Sequence, residues 1–249
     1  SLRPPGLKNS ENKILTSLVV RPFSVKMAEV SCRLQRGFAV GGQFGENIIE
    51  IDTYARLASM PDQAETNLPA VVSYDFAQAF PSAAHSWTHK VFKKMNLPGP
   101  LERFFWILYQ NVHCFGSLGG ATVWLFTIWS GIIQGCPASG ALFAARLNPF
   151  LLDFERSFVG MSRGVILACA GDIGGVIMRL KYLTVLFRIF SWAQRLAALI
   201  LKTCKCFITP LCGPFSEELA SVYRRALEEF VPSWADFVIV PNLKYLGMW

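Results

Sequence analysis

The chain has 249 residues, of which 52% are hydrophobic and only 16% charged, which excludes an intrinsically disordered protein and supplies ample apolar side chains for a core. The formal net charge is +7, and most of the excess lies in residues 1–36, which contain seven basic and two acidic side chains. Such a segment suits a phosphate-bearing partner, although a solvated basic surface accounts for it equally well.

The first third of the chain predicts a polar loop followed by a strand and a helix. Residues 59–69 contain two prolines and predict a loop between an N-terminal region and the main body. Residues 70–76 (AVVSYDF) predict a β-strand that ends near Asp75. Residues 82–95 predict a helix because apolar side chains recur at helical spacing, and Ser82 is a candidate N-cap.

The middle of the chain predicts two more helices and a hairpin. Residues 97–112 begin with prolines that suit the first turn of a helix. Residues 114–118 and 121–129 predict a β-hairpin because a Gly-Gly pair separates them. Residues 137–158 predict a long helix that begins near its initial proline.

The last part predicts a second hairpin and a mixture of strands and helices. The hairpin is formed by residues 164–170 and 173–178, with Gly171 and Asp172 at its tip. A long amphipathic helix, a strand, another helix and a final strand follow at residues 182–200, 204–211, 216–230 and 244–249. Because hairpins mix with helices, the fold class is α+β rather than a doubly wound parallel sheet.

The seven cysteines and three histidines form no recognisable disulfide or zinc pattern. The number of cysteines is odd, and no Cys-x-x-Cys pair occurs. His85 and His89 have the spacing of a zinc-protease helix, but Ser86 stands where the required glutamate would be. We therefore expect reduced thiols in an intracellular protein, cytoplasmic or nuclear.

Two further stretches bear on membranes. Residues 1–13 lack the apolar core of a secretory signal peptide. No Asp, Glu, Lys or Arg occurs from Phe104 to Ala145, but the longest apolar piece, residues 121–133, is well short of the ~20 residues needed to span a bilayer. We expect this uncharged stretch to be buried core and expect no membrane partner. A membrane-associated protein remains the less favoured alternative.

Two aspartates stand where the apolar pattern requires no charge. Asp75 ends one predicted strand, and Asp172 lies at the tip of the second predicted hairpin. Carboxylates at the ends of neighbouring strands suit divalent metal ions, because Mg²⁺ is bound by one or two carboxylates together with substrate phosphates. Either aspartate taken alone is better explained as a turn residue.

Seven segments, taken in order, resemble the motifs of reverse transcriptases, most closely those of the non-LTR (LINE-type) retrotransposon family. The most specific is GIIQGCPASGALFAARLNPFL (131–151), which is similar to the Gln-Gly-Cys-Pro-x-Ser motif. The others are RPPGLKNSENKIL, QRGFAVGGQFGENIIEID, YDFAQAFPSAAHSW, LACAGDIGGV, LKTCKCFITPL and KYLGMW. Together they cover nearly the whole chain.

The resemblance implies the palm of a right-handed polymerase, an antiparallel sheet packed on helices. Residues 1–69 would be a partial fingers segment, and residues 70–249 would be the palm, ending at the primer-grip motif. A thumb would follow beyond Trp249, so we expect this chain to contain none. The implied partners are an RNA or DNA template-primer and deoxynucleoside triphosphates, and no obligate protein partner is evident.

The resemblance also assigns roles to individual residues. Asp75 and Asp172 would be catalytic metal ligands for two Mg²⁺ ions. Phe80 would lie under the incoming sugar and exclude a 2′-hydroxyl, although core packing explains this ring as well. The remaining nucleotide-binding positions would be Gln134, Gly135, Pro137, Ser139 and Lys205. Nucleic-acid contacts would come from Arg3, Lys8, Arg36, Tyr245, Leu246 and Gly247.

Three positions depart from the family pattern. Gly171 replaces the first aspartate of the paired-aspartate turn, Gly42 stands at an arginine position, and Lys202 stands at an asparagine position. Glycine has no side chain with which to bind metal, and Asp172 would point to the opposite face from residue 171. We therefore expect a degenerate, truncated reverse-transcriptase domain with little or no catalysis, or a non-catalytic nucleic-acid-binding remnant of the same fold.

Overall fold

The computed structural model describes residues 10–38, 41–60, 67–133, 135–158 and 162–247. In chain order the helices of four or more residues are α1 (Ser10–Val30), α2 (Phe44–Ala58), α3 (Ala79–Ser82), α4 (His85–Lys94), α5 (Gly99–Tyr109), α6 (Ser139–Ser157), α7 (Leu183–Ala197) and α8 (Glu217–Phe230). The strands are β1 (Ala70–Tyr74), β2 (Val112–Leu118), β3 (Ala121–Ile128), β4 (Gly164–Cys169), β5 (Asp172–Ile177), β6 (Phe207–Pro210) and β7 (Val238–Ile239).

The main sheet has the strand order β4-β5-β1-β6-β7 and is antiparallel except between β6 and β7. Its centre is β1, which pairs with β5 on one side and with β6 on the other. Side chains of β1 alternate between fully and partly buried, as expected for a strand with two different faces. This arrangement agrees with the predicted α+β class and with an antiparallel sheet packed on helices.

The two faces of the sheet are covered by different parts of the chain. On one face Tyr74 packs against the rings of Phe190, Trp234 and Phe237. The other face is covered by α2, which contacts β1, β4 and β5. Because both faces are covered by helices or aromatic rings, the approach to the middle of the sheet is from the ends of the strands.

The predicted N-cap at Ser82 is wrong. Ser82 is the last residue of α3, and its hydroxyl donates to the carbonyl of Gln78. The next helix begins only at His85, because Ala83 is extended and its carbonyl accepts hydrogen bonds from the Gly131 amide and the Arg146 guanidinium. The helix predicted at residues 216–230 is confirmed, with the Ser216 hydroxyl accepting from the Leu219 amide.

The prediction of a final strand at residues 244–249 is also wrong for the part that the structure describes. The last strand is β7, further toward the N-terminus, and it pairs in parallel with β6. Leu246 and Gly247 both have left-handed backbone conformations, with φ of 49° and 87°, so the chain turns where an extended strand was expected. Residues 248 and 249 lie outside the described residues.

The hairpin of β2 and β3 forms as predicted, with Gly119 and Gly120 both at positive φ in its turn. The burial predicted for residues 104–145 holds for parts of α5 and α6 but is wrong for this hairpin. Several of its large apolar side chains are exposed, namely Phe115, Leu118, Val123, Trp124, Leu125 and Phe126. Within the described strands β2 and β3 pair only with each other, so no second sheet layer covers them. None of the described helices is long and apolar enough to cross a membrane.

Burial places one charge in the core without a carboxylate partner among the described residues. Arg146 of α6 is only 1% exposed, and its guanidinium donates to the carbonyl of Ala83 while Nε has no partner in the described part of the chain. Burial lowers the pKa of Arg146 to about 10. A buried charge that is not paired opposes folding.

We therefore predict that Arg146→Met increases the free energy of unfolding by about 1 kcal/mol or more, since it replaces a buried cation with an apolar chain of similar length. Arg156→Met is the matched control on the same helix, because Arg156 is exposed and forms only a surface ion pair with Asp153. The control should change stability by less than about 0.5 kcal/mol. Urea denaturation of both variants tests this, and a large destabilisation by Arg146→Met would contradict it.

Candidate functional site

The candidate site lies where β1 ends and β5 begins. In the antiparallel register Tyr74 pairs with Ile173, so Asp75 and Asp172 are the next residues along the two neighbouring strands. Residues opposite each other in such a pair share one face, so both carboxylates lie on the face away from Tyr74. Asp75 is half-buried and Asp172 is exposed. The structure therefore brings together the two aspartates that the sequence singled out.

The surroundings of Asp75 are fixed through its backbone. Its carbonyl accepts from the Lys202 amide at 2.8 Å, and its own amide lies 3.5 Å from the sulfur of Cys206. Burial raises the pKa of the Cys206 thiol to about 12, so in the metal-free chain this sulfur is a neutral thiol at neutral pH. The backbone of Lys202 is thus held next to Asp75 by this hydrogen bond. Lys205 is exposed at the end of the short 3-10 helix that follows, Thr203–Lys205.

In the turn between β4 and β5, the residue with a left-handed backbone is not the glycine. Cys169 pairs with Asp172, which leaves Ala170 and Gly171 as the two turn residues. Ala170 is the one in the left-handed region, with φ of 55°, whereas Gly171 lies outside that region. The backbone therefore does not require glycine at position 171.

Space is also available for a side chain at position 171. A Cβ there would lie 3.4 Å from the nearest ring atom of Phe143 and 3.7 Å from the Cβ of Ala79, which are ordinary contacts. Phe80 stacks on the same Phe143 ring, with ring centroids 4.7 Å apart. The half-buried Phe80 thus lies close to the turn, although it also has the packing partner that a core role would require.

The segment that begins α6 is placed mainly by backbone requirements. Gly135 has a φ of 81°, which favours glycine, and both it and Pro137 are exposed. The hydroxyl of Ser139 is buried and donates to the carbonyl of Ile133 at 2.7 Å, so it holds the preceding loop. Gln134 lies outside the described residues, as do the predicted basic contacts Arg3 and Lys8.

Arg36 is occupied by protein partners. Its guanidinium lies 2.6 Å from a carboxylate oxygen of Glu50 and 3.3 Å from one of Glu46, and it donates to the side-chain oxygen of Asn47. A phosphate would have to compete with both carboxylates for this guanidinium. At Gly42, which stands at an arginine position of the motif that the sequence resembles, a Cβ would overlap the Arg36 carbonyl, so this backbone is shaped for glycine.

Tyr245 lies against the carboxylate turn. Its hydroxyl donates to the backbone carbonyl of Asp172, and the side-chain amide of Asn47 donates to that hydroxyl, each at 3.3 Å. The ring occupies the space beside Gly174, where a Cβ would come within 2.7 Å of it. Burial raises the pKa of Tyr245 well above its usual value, so the phenol remains neutral. The adjoining Leu246 and Gly247 form the turn described above.

Sequence reasoning missed two residues that contact this site, Gln35 and Asn47. Gln35 is 3% exposed, and its side-chain amide bonds to both the amide and the carbonyl of Ala170. For Gln35 the sequence offered a single indication, its position at the start of the QRGF segment. A contact between residues 135 positions apart leaves no periodic pattern in the sequence.

The donor atoms at the site suit one divalent ion better than two. Asp75 and Asp172 present two carboxylates on one face, which is enough for one Mg²⁺ together with substrate phosphates. At position 171 no further carboxylate is present. Among the residues that the structure describes, no group of three or more His, Cys, Asp or Glu side chains is arranged to hold a metal ion.

No family model matches the chain. Solved structures with a similar fold include apo telomerase from Candida tropicalis truncated from its C-terminal domain, with a TM-score of 0.57, 10% identity, and coverage of 84% of this chain and 41% of that one. Apo telomerase from the same organism has a TM-score of 0.60 and 8% identity over 78% of this chain and 36% of its own. Telomerase from Candida albicans, solved with a fragment of telomeric RNA, has a TM-score of 0.54 and 10% identity over 80% of this chain and 36% of its own.

These likenesses show a reverse-transcriptase-like fold, as found in telomerase catalytic subunits. They cover most of this chain, but the chain spans less than half the length of each of these telomerase structures. At such low identity they carry the fold and do not distinguish the LINE-type family from other reverse transcriptases.

Proposed function

We propose that the chain is a degenerate reverse-transcriptase domain of the LINE type, an RNA-directed DNA polymerase whose two-metal nucleotidyl transfer is largely lost. One observation carries the proposal: Asp75 and Asp172 meet at neighbouring strand ends of a reverse-transcriptase-like fold, while Gly171 leaves the third carboxylate position empty. The motif order supports the LINE-type assignment, and the cysteine pattern supports an intracellular setting.

Each residue of the site has a definite part in this proposal. Asp75 and Asp172 would hold Mg²⁺, which when bound neutralises charge on the phosphoryl group that is transferred. Phe80 would limit the space under the sugar, and the exposed Lys205 would attract the triphosphate. The substrates would be a template-primer of RNA or DNA and deoxynucleoside triphosphates.

A non-catalytic nucleic-acid-binding protein of the same fold is the second candidate, and the missing carboxylate favours it. The basic surface available for such binding is smaller than the sequence suggests. Of the basic residues in α1 and the segment after it, Lys26, Arg33 and Arg36 pair with carboxylates. Lys13 and Arg21 are exposed, and no carboxylate among the described residues lies within 4.0 Å of either.

We predict weak nucleic-acid binding that falls steeply with salt. The double variant Lys13→Gln/Arg21→Gln should reduce the slope of log K against log salt by roughly 2 for duplex DNA, since each phosphate contact contributes about 0.9. Fluorescence anisotropy with labelled duplex at several salt concentrations measures the slope. Lys26→Gln is the control, because Lys26 is already paired with Glu29, and it should change the slope less. Tight binding that does not respond to salt would contradict the proposal.

We predict that Gly171→Asp strengthens metal binding and restores templated synthesis. A second carboxylate at the turn should tighten Mn²⁺ binding at least about tenfold and raise primer extension by on the order of hundredfold, since each ~1.4 kcal/mol of transition-state stabilisation is tenfold in rate. Electron paramagnetic resonance titration with Mn²⁺ and a primer-extension assay with Mg²⁺ measure the two effects.

Gly99→Asp is the matched control for the added charge. Its Cβ would meet nothing within 4 Å at the start of α5, so it adds a carboxylate without disturbing the packing. It should leave Mn²⁺ binding and extension unchanged. Equal Mn²⁺ affinity in Gly171→Asp and the native chain would show that position 171 does not contribute to a metal site, and would contradict the proposed role of the missing carboxylate.

In the Gly171→Asp background we predict that Phe80→Ala raises the ratio of ribonucleotide to deoxynucleotide incorporation, because the ring that excludes the 2′-hydroxyl is removed. Phe158→Ala is the control, since Phe158 is also half-buried but packs at the far end of α6 near Tyr182. If both variants lose stability alike and neither changes the ratio, Phe80 serves only as a packing partner of Phe143.

A further inference from the structure

The two residues of the turn before Asp172 are not the types that would favour its conformation on their own. A two-residue turn with its first residue at positive φ favours glycine there, but Ala170 occupies that place. The left-handed conformation costs a residue with a Cβ roughly 1–2 kcal/mol. Gly171 could adopt the left-handed conformation freely, but it is the second residue of the turn and not the first. Groups outside the hairpin must therefore stabilise the turn.

Gln35 supplies those groups on one side. Its Oε1 accepts from the Ala170 amide at 2.8 Å and from the Gly37 amide at 2.9 Å, and its Nε2 donates to the Ala170 carbonyl at 3.2 Å. A single buried side chain thus satisfies both backbone polar groups of the strained residue. The Gln35 backbone is itself fixed, because Leu34 and Arg36 bond on either side of Ala168 in β4.

Gly37 allows this contact. A Cβ at residue 37 would overlap the backbone nitrogen of Ala170 and lie 2.7 Å from the carbonyl carbon of Cys169. The φ of Gly37 is outside the left-handed region, so its glycine is required by the close approach and not by its own conformation. The segment 35–37 is therefore packed directly on the backbone of the turn.

A second set of hydrogen bonds reaches the turn from the other side. Tyr245 donates to the Asp172 carbonyl, Asn47 donates to Tyr245, and Arg36 donates to Asn47. Asn47 is fully buried, and Glu50 fixes the far side of the Arg36 guanidinium. The two backbone positions that flank residue 171 are thus held by residues far away in the sequence.

We propose that Gln35, together with the Arg36–Asn47–Tyr245 chain of hydrogen bonds, forms a clamp that positions the carboxylate turn. The role of the clamp in positioning a metal-binding carboxylate rests on the proposed function. Its stabilisation of the turn through hydrogen bonds does not. In this role Arg36 and Tyr245 influence the site only through their hydrogen bonds to other residues of the chain. Gln35 is a positioning residue that contacts neither metal nor substrate.

Amide hydrogen exchange followed by NMR tests the clamp in the native chain. Gln35→Met keeps the length of the side chain and removes its hydrogen bonds, so exchange at Ala170 and Gly37 should accelerate at least tenfold while that at Val72 in β1 stays unchanged. Gln194→Met is the matched control, because Gln194 is exposed on α7, and it should alter none of these rates. Unchanged exchange at Ala170, or uniform acceleration across the sheet, would overturn the proposal.

Gln35→Glu keeps the test available should Gln35→Met fail to fold. It preserves the acceptor for the amides of Ala170 and Gly37 and removes the donor to the Ala170 carbonyl. The carboxylate oxygen that replaces this donor repels the Ala170 carbonyl, so exchange at Ala170 should accelerate more than exchange at Val72, and unchanged exchange at Ala170 would contradict the assigned hydrogen bonds.

Mn²⁺ titration in the Gly171→Asp background separates the clamp from the proposed function. Tyr245→Phe should weaken Mn²⁺ binding severalfold there, because the Asp172 carbonyl loses its donor. Altered exchange with unaltered Mn²⁺ affinity would overturn the positioning role. Failure of Gly171→Asp itself to bind Mn²⁺ would overturn the proposed function, while the exchange experiment would still decide whether the clamp exists.

Discussion

The pairing of β1 with β5 is the constraint on which the rest of the structure depends. The register that joins Tyr74 to Ile173 places Asp75 beside Asp172 and turns both toward the same face. Since side chains alternate along a strand, a slip of one residue would exchange the buried aromatic ring of Tyr74 with a carboxylate. The aromatic cluster around Tyr74 and the location of the site are therefore set by one interaction.

Coverage of both sheet faces determines where chemistry could take place. The aromatic rings of Phe190 and Trp234 close one face, and α2 closes the other. The ends of the strands remain, and they carry the two carboxylates, the turn at 170–171 and the loop before α6. A polar site at this edge needs no unpaired charge inside the core, where such a charge opposes folding.

Local patterns in the sequence predicted most helices and strands, but they could not predict contacts between residues far apart in the chain. The hairpin turn at Gly119–Gly120 and the cap at Ser216 depend on neighbouring residues, so their chemistry is legible in the chain. Apolar content predicted burial of the β2–β3 hairpin, but burial also requires a second surface, which periodicity cannot reveal. The contact of Gln35 with Ala170 joins residues 135 positions apart and depends on the completed fold. The pairing of the aspartates was predictable only because motif order added information that neither residue carries alone.

The proposed clamp holds the turn without using the side chain at position 171. Every hydrogen bond that Gln35 and Tyr245 make to the turn goes to the backbone of Ala170 or Asp172, and none involves the side chain at position 171. A change of side chain at position 171 would therefore remove none of these hydrogen bonds. The architecture of the turn and the chemistry at position 171 can therefore change independently of each other.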